Sequence, residues 1–230
     1  MSASSAAAGA DPRLAPLGDG AVTVTLGDRV ELALNRRVHR LAAAVTAAGI
    51  PGVVDVVPAY ATLSVFYEPL HTSYADVAAA LAPLIAALDA SGADAARETD
   101  DAGGPEPHVI PVVYDGPDLA EVASRLGLAP DEVVRRHAGR VYTVYLLGFV
   151  PGFAYLGDLD PRLALPRRDS PRPRVPAGSV AIAGRQTAVY PLATPGGWHL
   201  IGRTDVPLLD VARTPPTALA PGQRVRFVPA

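Results

Sequence analysis

Three Gly- and aromatic-rich segments between residues 142 and 205 hold the side chains best suited to chemistry. The first, Gly148-Phe149-Val150-Pro151-Gly152-Phe153-Ala154-Tyr155-Leu156-Gly157, sets three large rings on a backbone broken by Gly and Pro. Glycine permits positive φ or close approach, and the rings supply contact area. They cannot all point inward, so at least one is expected to line a surface groove. The second, Pro166 to Ser179, carries Arg167, Arg168, Arg172 and Arg174 among four prolines. Proline cannot donate to a ladder, so a surface loop is expected here, offering guanidinium forks to a carboxylate or phosphate. The third, Thr194 to Thr204, holds Gly196, Gly197, Trp198 (the single Trp of the chain), His199 and Arg203. Strand alternation sets 199, 201 and 203 on one face, opposite Trp198 and Leu200. His199 is a candidate general acid or base, although a lone His more often serves as a hydrogen-bonded structural residue.

Familiar enzyme templates fail. The five His residues (39, 71, 108, 137, 199) form no i,i+4 pair and no His-x-His, so no metal site is expected. Ser179 follows Gly178 but lacks the second glycine of a nucleophile elbow, and no Gly-x-Gly-x-x-Gly opens a dinucleotide site. Cys is absent, which excludes a catalytic thiol, a zinc-thiolate site and disulfides. All 20 basic residues are Arg, which excludes a Schiff-base lysine and a Walker-type phosphate loop. Net charge is −3 and no basic stripe carries interleaved aromatics, so nucleic-acid binding is not expected. These exclusions favour a non-autonomous component or binding module over a self-contained enzyme. No uncharged apolar run approaches 18 residues, so no membrane span is expected. The start, Met1 to Asp11, lacks a basic n-region and an apolar h-region, and the expected location is the cytoplasm.

The elements that must position these segments divide in two. Ser91 to Pro107 has hardly a large apolar side chain and reads as a linker, with a boundary near Gly104. Residues 1–104 are expected to form an α+β domain with a disordered start and linker, and residues 105–230 a β-barrel domain. In the first half, Val22, Val24 and Leu26 alternate with Thr23 and Thr25 as a strand. Asp28 with Glu31 suggests a capping box for a helix with Val30, Leu34, Val38, Leu41, Val45 and Ala48 as its stripe, Asn35 outside it, and Gly49-x-Pro51 as its stop. Strands follow at 53–57 and 62–67. A second helix starts near Ser73 with Val77, Leu81, Leu84 and Leu88 on one face; Pro83 inside it should kink or split it at about 3 kcal/mol relative to Ala. The order β-α-β-β-α becomes a ferredoxin-like split βαβ with one more strand; residues 108–114 could supply it, or belong to the next domain. The second half shows two short helices, one capped by Asp118 and one entered through Pro130. Short strands follow at 142–147, 179–183, 186–190, 198–202 and 223–228, which suggests a small closed barrel or sandwich.

Taken in order, Gly148–Leu156 (GFVPGFAYL), Val175-Pro-Ala-Gly-Ser-Val180, Arg185-Gln-Thr187 with Tyr190-Pro191, and Pro195-Gly-Gly-Trp198 with Ile201-Gly-Arg-Thr204 form a specific pattern. The chain resembles the family of 5-oxoprolinase B subunits, which includes the sporulation kinase inhibitor KipI and is often labelled allophanate hydrolase subunit 1. It is similar too to subdomains C and D of the urea carboxylase carboxyltransferase domain. The resemblance implies an N-terminal α+β domain and a cyclophilin-like β-barrel, agreeing with the coarse reading. It implies a hetero-oligomer with the C and A subunits of 5-oxoprolinase, ATP (with Mg as counter-ion) bound at the seam with the partner, and ATP-driven opening of the 5-oxoproline lactam to glutamate. Within it, Arg174, Gln186, Tyr190, His199 and Arg203 are the candidates for polar contacts, His199 and Arg203 for catalysis. Gly196 and Gly197 offer backbone N–H groups, and Phe149, Phe153, Tyr155 and Trp198 a groove or interface. The KipI branch implies a second role, binding a sensor histidine kinase. Allophanate hydrolysis itself needs an amidase Ser-Ser-Lys site, and a chain without Lys cannot supply it.

Overall fold

Alternation of Val and Thr in residues 21–25 builds the central strand of the first unit, because apolar side chains on one face must find a cover. The computed structural model describes residues 12–90 and 105–230; most of the linker expected at 91–107, namely 91–104, and the start at 1–11 lie outside the described residues. The chain divides into two compact units, Met1–Gly103 and Gly104–Ala230.

In the first unit, β1 (Arg13–Pro16), β2 (Ala21–Thr25), β3 (Val53–Pro58) and β4 (Thr62–Tyr67) form an antiparallel sheet in the order β1-β2-β4-β3. Helices α1 (Leu32–Ala48) and α2 (Tyr74–Ala90) cover one face and bury Val22, Val24, Leu63 and Val65 against Val38, Leu41, Val45, Val77 and Leu81. The topology differs from the ferredoxin-like order. Residues 108–112 pair within the second unit, and the place beside β2 is held by β1, which precedes it in the chain.

Three local expectations are corrected here. Asp28 caps nothing: α1 starts at Leu32, with Glu31 at the N-cap and no side-chain capping bond. The capping box forms instead at α2, where Ser73 Oγ accepts from the Asp76 N–H at 3.2 Å and Asp76 Oδ2 accepts from the Ser73 N–H at 3.1 Å. Asn35 is fully buried, donating through Nδ2 to the carbonyls of Ala59 (2.9 Å) and Tyr60 (3.3 Å), so it anchors the β3–β4 turn. Finally, α2 runs unbroken through Pro83. Pro83 and Ala79 are both on the exposed side, so water can meet the Ala79 carbonyl that Pro83 leaves without a donor.

The second unit is a barrel. Its strands are β5 (His108–Val112), β6 (Val141–Leu147), β7 (Ala154–Gly157), β9 (Ser179–Ala183), β10 (Gln186–Val189), β12 (His199–Arg203) and β13 (Arg224–Pro229). They follow one another in the order β12-β9-β10-β7-β6-β13-β5. Closure comes from the residue after β5: Val113 and Arg203 exchange both backbone bonds at 2.9 Å. Gly116 lies so close to the Ile201–Gly202 backbone that a Cβ there would collide with main-chain atoms. A two-stranded ribbon, β8 (Arg172–Val175) with β11 (Thr194–Gly196), forms its own sheet and packs Val175 against Ala181 and Ala183 of β9. The Arg- and Pro-rich segment therefore does enter a sheet, against expectation. A ribbon has only edge strands, where a proline without an N–H is tolerated.

Helices α3 (Leu119–Leu126) and α4 (Pro130–Ala138) lie between β5 and β6 in the chain. Strand β9 is buried along its whole length, and its alternation sorts two cores. Val180 and Ile182 join the barrel interior with Val144, Leu156, Ile201 and Phe227. Ala181 and Ala183 face a second cluster with Phe153, Tyr190, Trp198 and Leu200.

Candidate functional site

The second cluster opens into a cleft of about 200 Å³ lined by Phe149, Phe153, Tyr155, Arg167, Pro171, Tyr190, Pro195, Gly196, Gly197 and Trp198. Phe153, only 1% exposed, is its centre. Its ring meets those of Phe149, Tyr155, Tyr190 and Trp198 at centroid distances of 5.4, 4.8, 5.2 and 5.7 Å, all edge-to-face. That geometry suits the ring quadrupoles and makes the wall rigid. Phe149 is the exception to burial: it is 59% exposed and holds φ +65°, a left-handed conformation uncommon for a non-glycine residue. Gly196 is required by the packing, since a Cβ there would run into the Tyr190 hydroxyl.

The opposite wall is a strap, Pro166–Arg172, tied down at several points. The Arg168 N–H donates to the Gly197 carbonyl at 2.8 Å, and His199 Nε2–H donates to the Pro166 carbonyl at 2.9 Å. Asp118, whose side chain is 3% exposed, takes the guanidiniums of two strap residues. Arg172 is bidentate on it (2.8 and 2.6 Å), and Arg168 Nη1 lies at 3.1 Å. The Leu200 N–H also donates to Asp118 Oδ2 at 2.7 Å. Burial works to raise the Asp118 pKa, but the Arg172 hydrogen bonds, the Leu200 N–H and the two arginine charges outweigh it and hold the carboxyl below its ordinary range. Asp118 sits at the start of α3, as expected of a cap, yet its side chain makes no capping bond: it is spent on the strap.

Burial pushes the Tyr190 phenol up, opposed by the Trp198 backbone N–H and the charge of Arg167. Burial likewise raises Tyr155, again opposed by Arg167. Both therefore stay protonated near neutral pH. No carboxylate, thiol or imidazole is among the lining residues, so the cleft is equipped to bind rather than to attack.

The structure brings seven of the candidates together: Phe149, Phe153, Tyr155, Tyr190, Gly196, Gly197 and Trp198. Four lie elsewhere. His199 is fully buried, donates to Pro166, and leaves Nδ1 with no partner among the described residues. Arg203 is exposed, pairs with Asp115 Oδ2 at 3.0 Å and lines a separate depression beside the barrel closure. Arg174 is exposed on β8, outside the cleft lining, and Gln186 starts β10, half-buried. Conversely, Arg167 and Asp118 were missed as site residues. The Arg-studded composition of the strap signalled Arg167 only as one cation among four, and nothing local marks Asp118 as their anchor. Among the described residues no group of three or more His, Asp or Glu could hold a metal ion, and no helix is long and apolar enough to cross a membrane.

Comparison with known proteins extends this picture. Residues 12–219 match the family described as carboxyltransferase domain, subdomain C and D. The 5-oxoprolinase B subunit of Escherichia coli O157:H7 is 44% identical over 219 residues, covering 93% of this chain and 94% of the relative. That of Bacillus subtilis (strain 168) is 40% identical over 217 residues, covering 92% and 90%. The crystal structure of TTHA0988 superposes with a TM-score of 0.78 at 43% identity over 91% of this chain, which spans only 40% of that longer protein. The order of motifs along the chain, the barrel that carries them and this level of identity agree: the chain belongs to the carboxyltransferase-domain subdomain C and D family, among relatives named as B subunits of 5-oxoprolinase.

Proposed function

We propose that this chain is the B subunit of an ATP-dependent 5-oxoprolinase and works only with its partners, the C and A subunits. The observation that carries the reading is the cleft itself: a rigid aromatic wall with one cation and, among the described residues, no carboxylate, thiol or imidazole, with Phe149 exposed at its rim. A wall of this kind needs a second polypeptide to complete a reaction site.

The chemistry suits a shared site. A lactam carbonyl is a poor electrophile, so transfer of the ATP γ-phosphoryl group to its oxygen comes first. Water then adds to the carbonyl carbon and the C–N bond breaks, which leaves an acyl phosphate; a second water hydrolyses it to glutamate and phosphate. At about 200 Å³ the cleft falls below the roughly 300–1,000 Å³ typical of sites for larger ligands, so it suits the small ring and not the nucleotide. In this reading ATP and its Mg lie at the seam and are held largely by the partner. The contribution of this chain is to exclude water and to orient the ring against the aromatic wall. Backbone N–H groups near Gly196–Gly197 are only partly available for charge stabilisation, since that of Trp198 is directed to Tyr190.

The test is reconstitution. The isolated chain is expected to be inert, and mixing it with the C and A subunits to yield 5-oxoproline-dependent ATP hydrolysis. A chain that fails to assemble with them, and instead binds the dimerisation helices of a histidine kinase and blocks its autophosphorylation, would replace this reading with the regulatory one.

A further inference from the structure

Arg167 stands apart from its neighbours. Arg168 and Arg172 share Asp118, and Arg168 also meets Glu121 Oε2 at 3.7 Å, whereas Arg167 has no carboxylate partner among the described residues and lines the cleft. Its charge is felt by both cleft phenols, Tyr155 and Tyr190. The strap bonds from Arg168 to Gly197 and from His199 to Pro166 fix the backbone on either side of it. A cation supported in this way beside an aromatic wall suits a single negative charge.

We propose that the cleft is a carboxylate-binding subsite, with Arg167 pairing the carboxylate of a small cyclic acid whose ring lies against Trp198 and Tyr155. The identity of that acid as 5-oxoproline rests on the function proposed above; the preference for a carboxylate does not. Charge and size select this ligand. One free guanidinium matches a single carboxylate, and a fork of two N–H donors holds it in a fixed orientation. A phosphate chain would call for more positive charge than Arg167 supplies once Asp118 and Glu121 are set against Arg168 and Arg172, and for more room than the roughly 200 Å³ this chain contributes. Orienting the acid through its carboxylate turns the lactam carbonyl the same way in every binding event, which is what a phosphoryl acceptor needs.

Trp198, the single Trp of the chain, lines the cleft and reports occupancy by its fluorescence. The full chain is titrated with 5-oxo-L-proline, with 2-pyrrolidinone (the same ring without the carboxylate) and with ATP. The expected result is a saturable response to 5-oxo-L-proline only. Arg167→Gln is expected to weaken it roughly 10- to 100-fold, and Arg167→Lys to restore part of the loss. Arg167 is exposed, so neither variant disturbs the core. No saturable response to 5-oxo-L-proline, an equal response to 2-pyrrolidinone, a response carried by ATP instead, or an unchanged affinity in Arg167→Gln would each overturn the proposal. The assembled complex separates it from the functional reading. Lactam-dependent ATP hydrolysis with an unchanged KM in Arg167→Gln sinks the subsite and spares the function. Arg167-dependent binding by a chain whose complex never hydrolyses ATP does the reverse.

Discussion

Asp118 and Arg172, 54 positions apart in sequence, form a two-pronged ion pair in which Arg172 Nη1 lies 2.8 Å from Oδ2 and Nη2 lies 2.6 Å from Oδ1. The pair joins the start of α3 to the end of the strap, and the Leu200 N–H brings β12 into the same junction. One side chain thus holds the cleft wall, a helix end and a barrel strand in register.

Replacing Asp118 with Ala should leave two guanidiniums facing a site built for a carboxylate. Breaking a buried pair in this way typically costs about 3–5 kcal/mol. The lower end is expected here, because Arg172 retains some access to water. Denaturant unfolding monitored by Trp198 fluorescence measures it, and a loss under about 1 kcal/mol would show the junction to be incidental.

His137 supplies a pH dependence. Its Nδ1 lies 2.7 Å from Tyr114 Oη and its Nε2 2.8 Å from Thr187 Oγ1. Thr187 donates its own proton to the Ala181 carbonyl, so Nε2 carries the imidazole proton and Nδ1 accepts from Tyr114. Complete burial pushes its pKa down to about 3, against an ordinary value of 6.5. The unfolded chain then binds a proton that the folded chain refuses. Stability should be full above about pH 6.5 and fall by about 1.4 kcal/mol per pH unit below it. Asp118, held below its ordinary range, acts in the same sense but only below about pH 4. Unfolding curves between pH 7 and 4.5 isolate the histidine; a flat profile there contradicts the assignment, as would a charged His137 in the imidazole nitrogen NMR spectrum at pH 5.

Gly116→Ala tests the barrel closure. The added methyl would meet the backbone of Ile201 and Gly202, which cannot swing aside as a side chain can. Overpacking of this kind is worth about 1–3 kcal/mol, and the upper end is expected. A fall in melting temperature together with faster hydrogen exchange at Val113 and Arg203 would locate the damage at the seam.

Phe149→Gly separates folding from assembly. Glycine relieves the left-handed backbone strain, worth about 1–3 kcal/mol, while the lost contact with Phe153 removes about 0.5–1.5 kcal/mol. The folded chain should therefore keep its stability to within about 1 kcal/mol or gain slightly. If the exposed ring meets a partner chain, affinity for that partner should drop at least tenfold in a pull-down or calorimetric titration. Unchanged affinity would reduce Phe149 to an inert rim.

Much of this molecule is legible in its residue order. Short β-type runs between turn residues located the barrel strands at 179–183 and 186–190, and alternation set His199 on the opposite face from Trp198 and Leu200, the face the cleft does not use. The middle of the α1 stripe, Val38, Leu41 and Val45, was clear as well, with Gly49 ending the helix at φ +54°, whereas Val30 falls before the helix and is exposed. Asn35 was misassigned because a polar side chain on a helix signals solvent unless its partner is known, and its partners are carbonyls 24 and 25 positions away.

The short-range pattern by itself determined most of the helices and barrel strands, and the order of motifs the family, since periodicity and turn chemistry act over a few residues. What only the tertiary structure decided is which unpaired arginine lines the cleft. Arg167, Arg168, Arg172 and Arg174 look alike along the chain. Asp118, brought in from about 50 positions away, takes two of them, and Arg167 alone is left lining the cleft. Charge compensation depends on distance in space, and no reading of neighbours in sequence contains that distance.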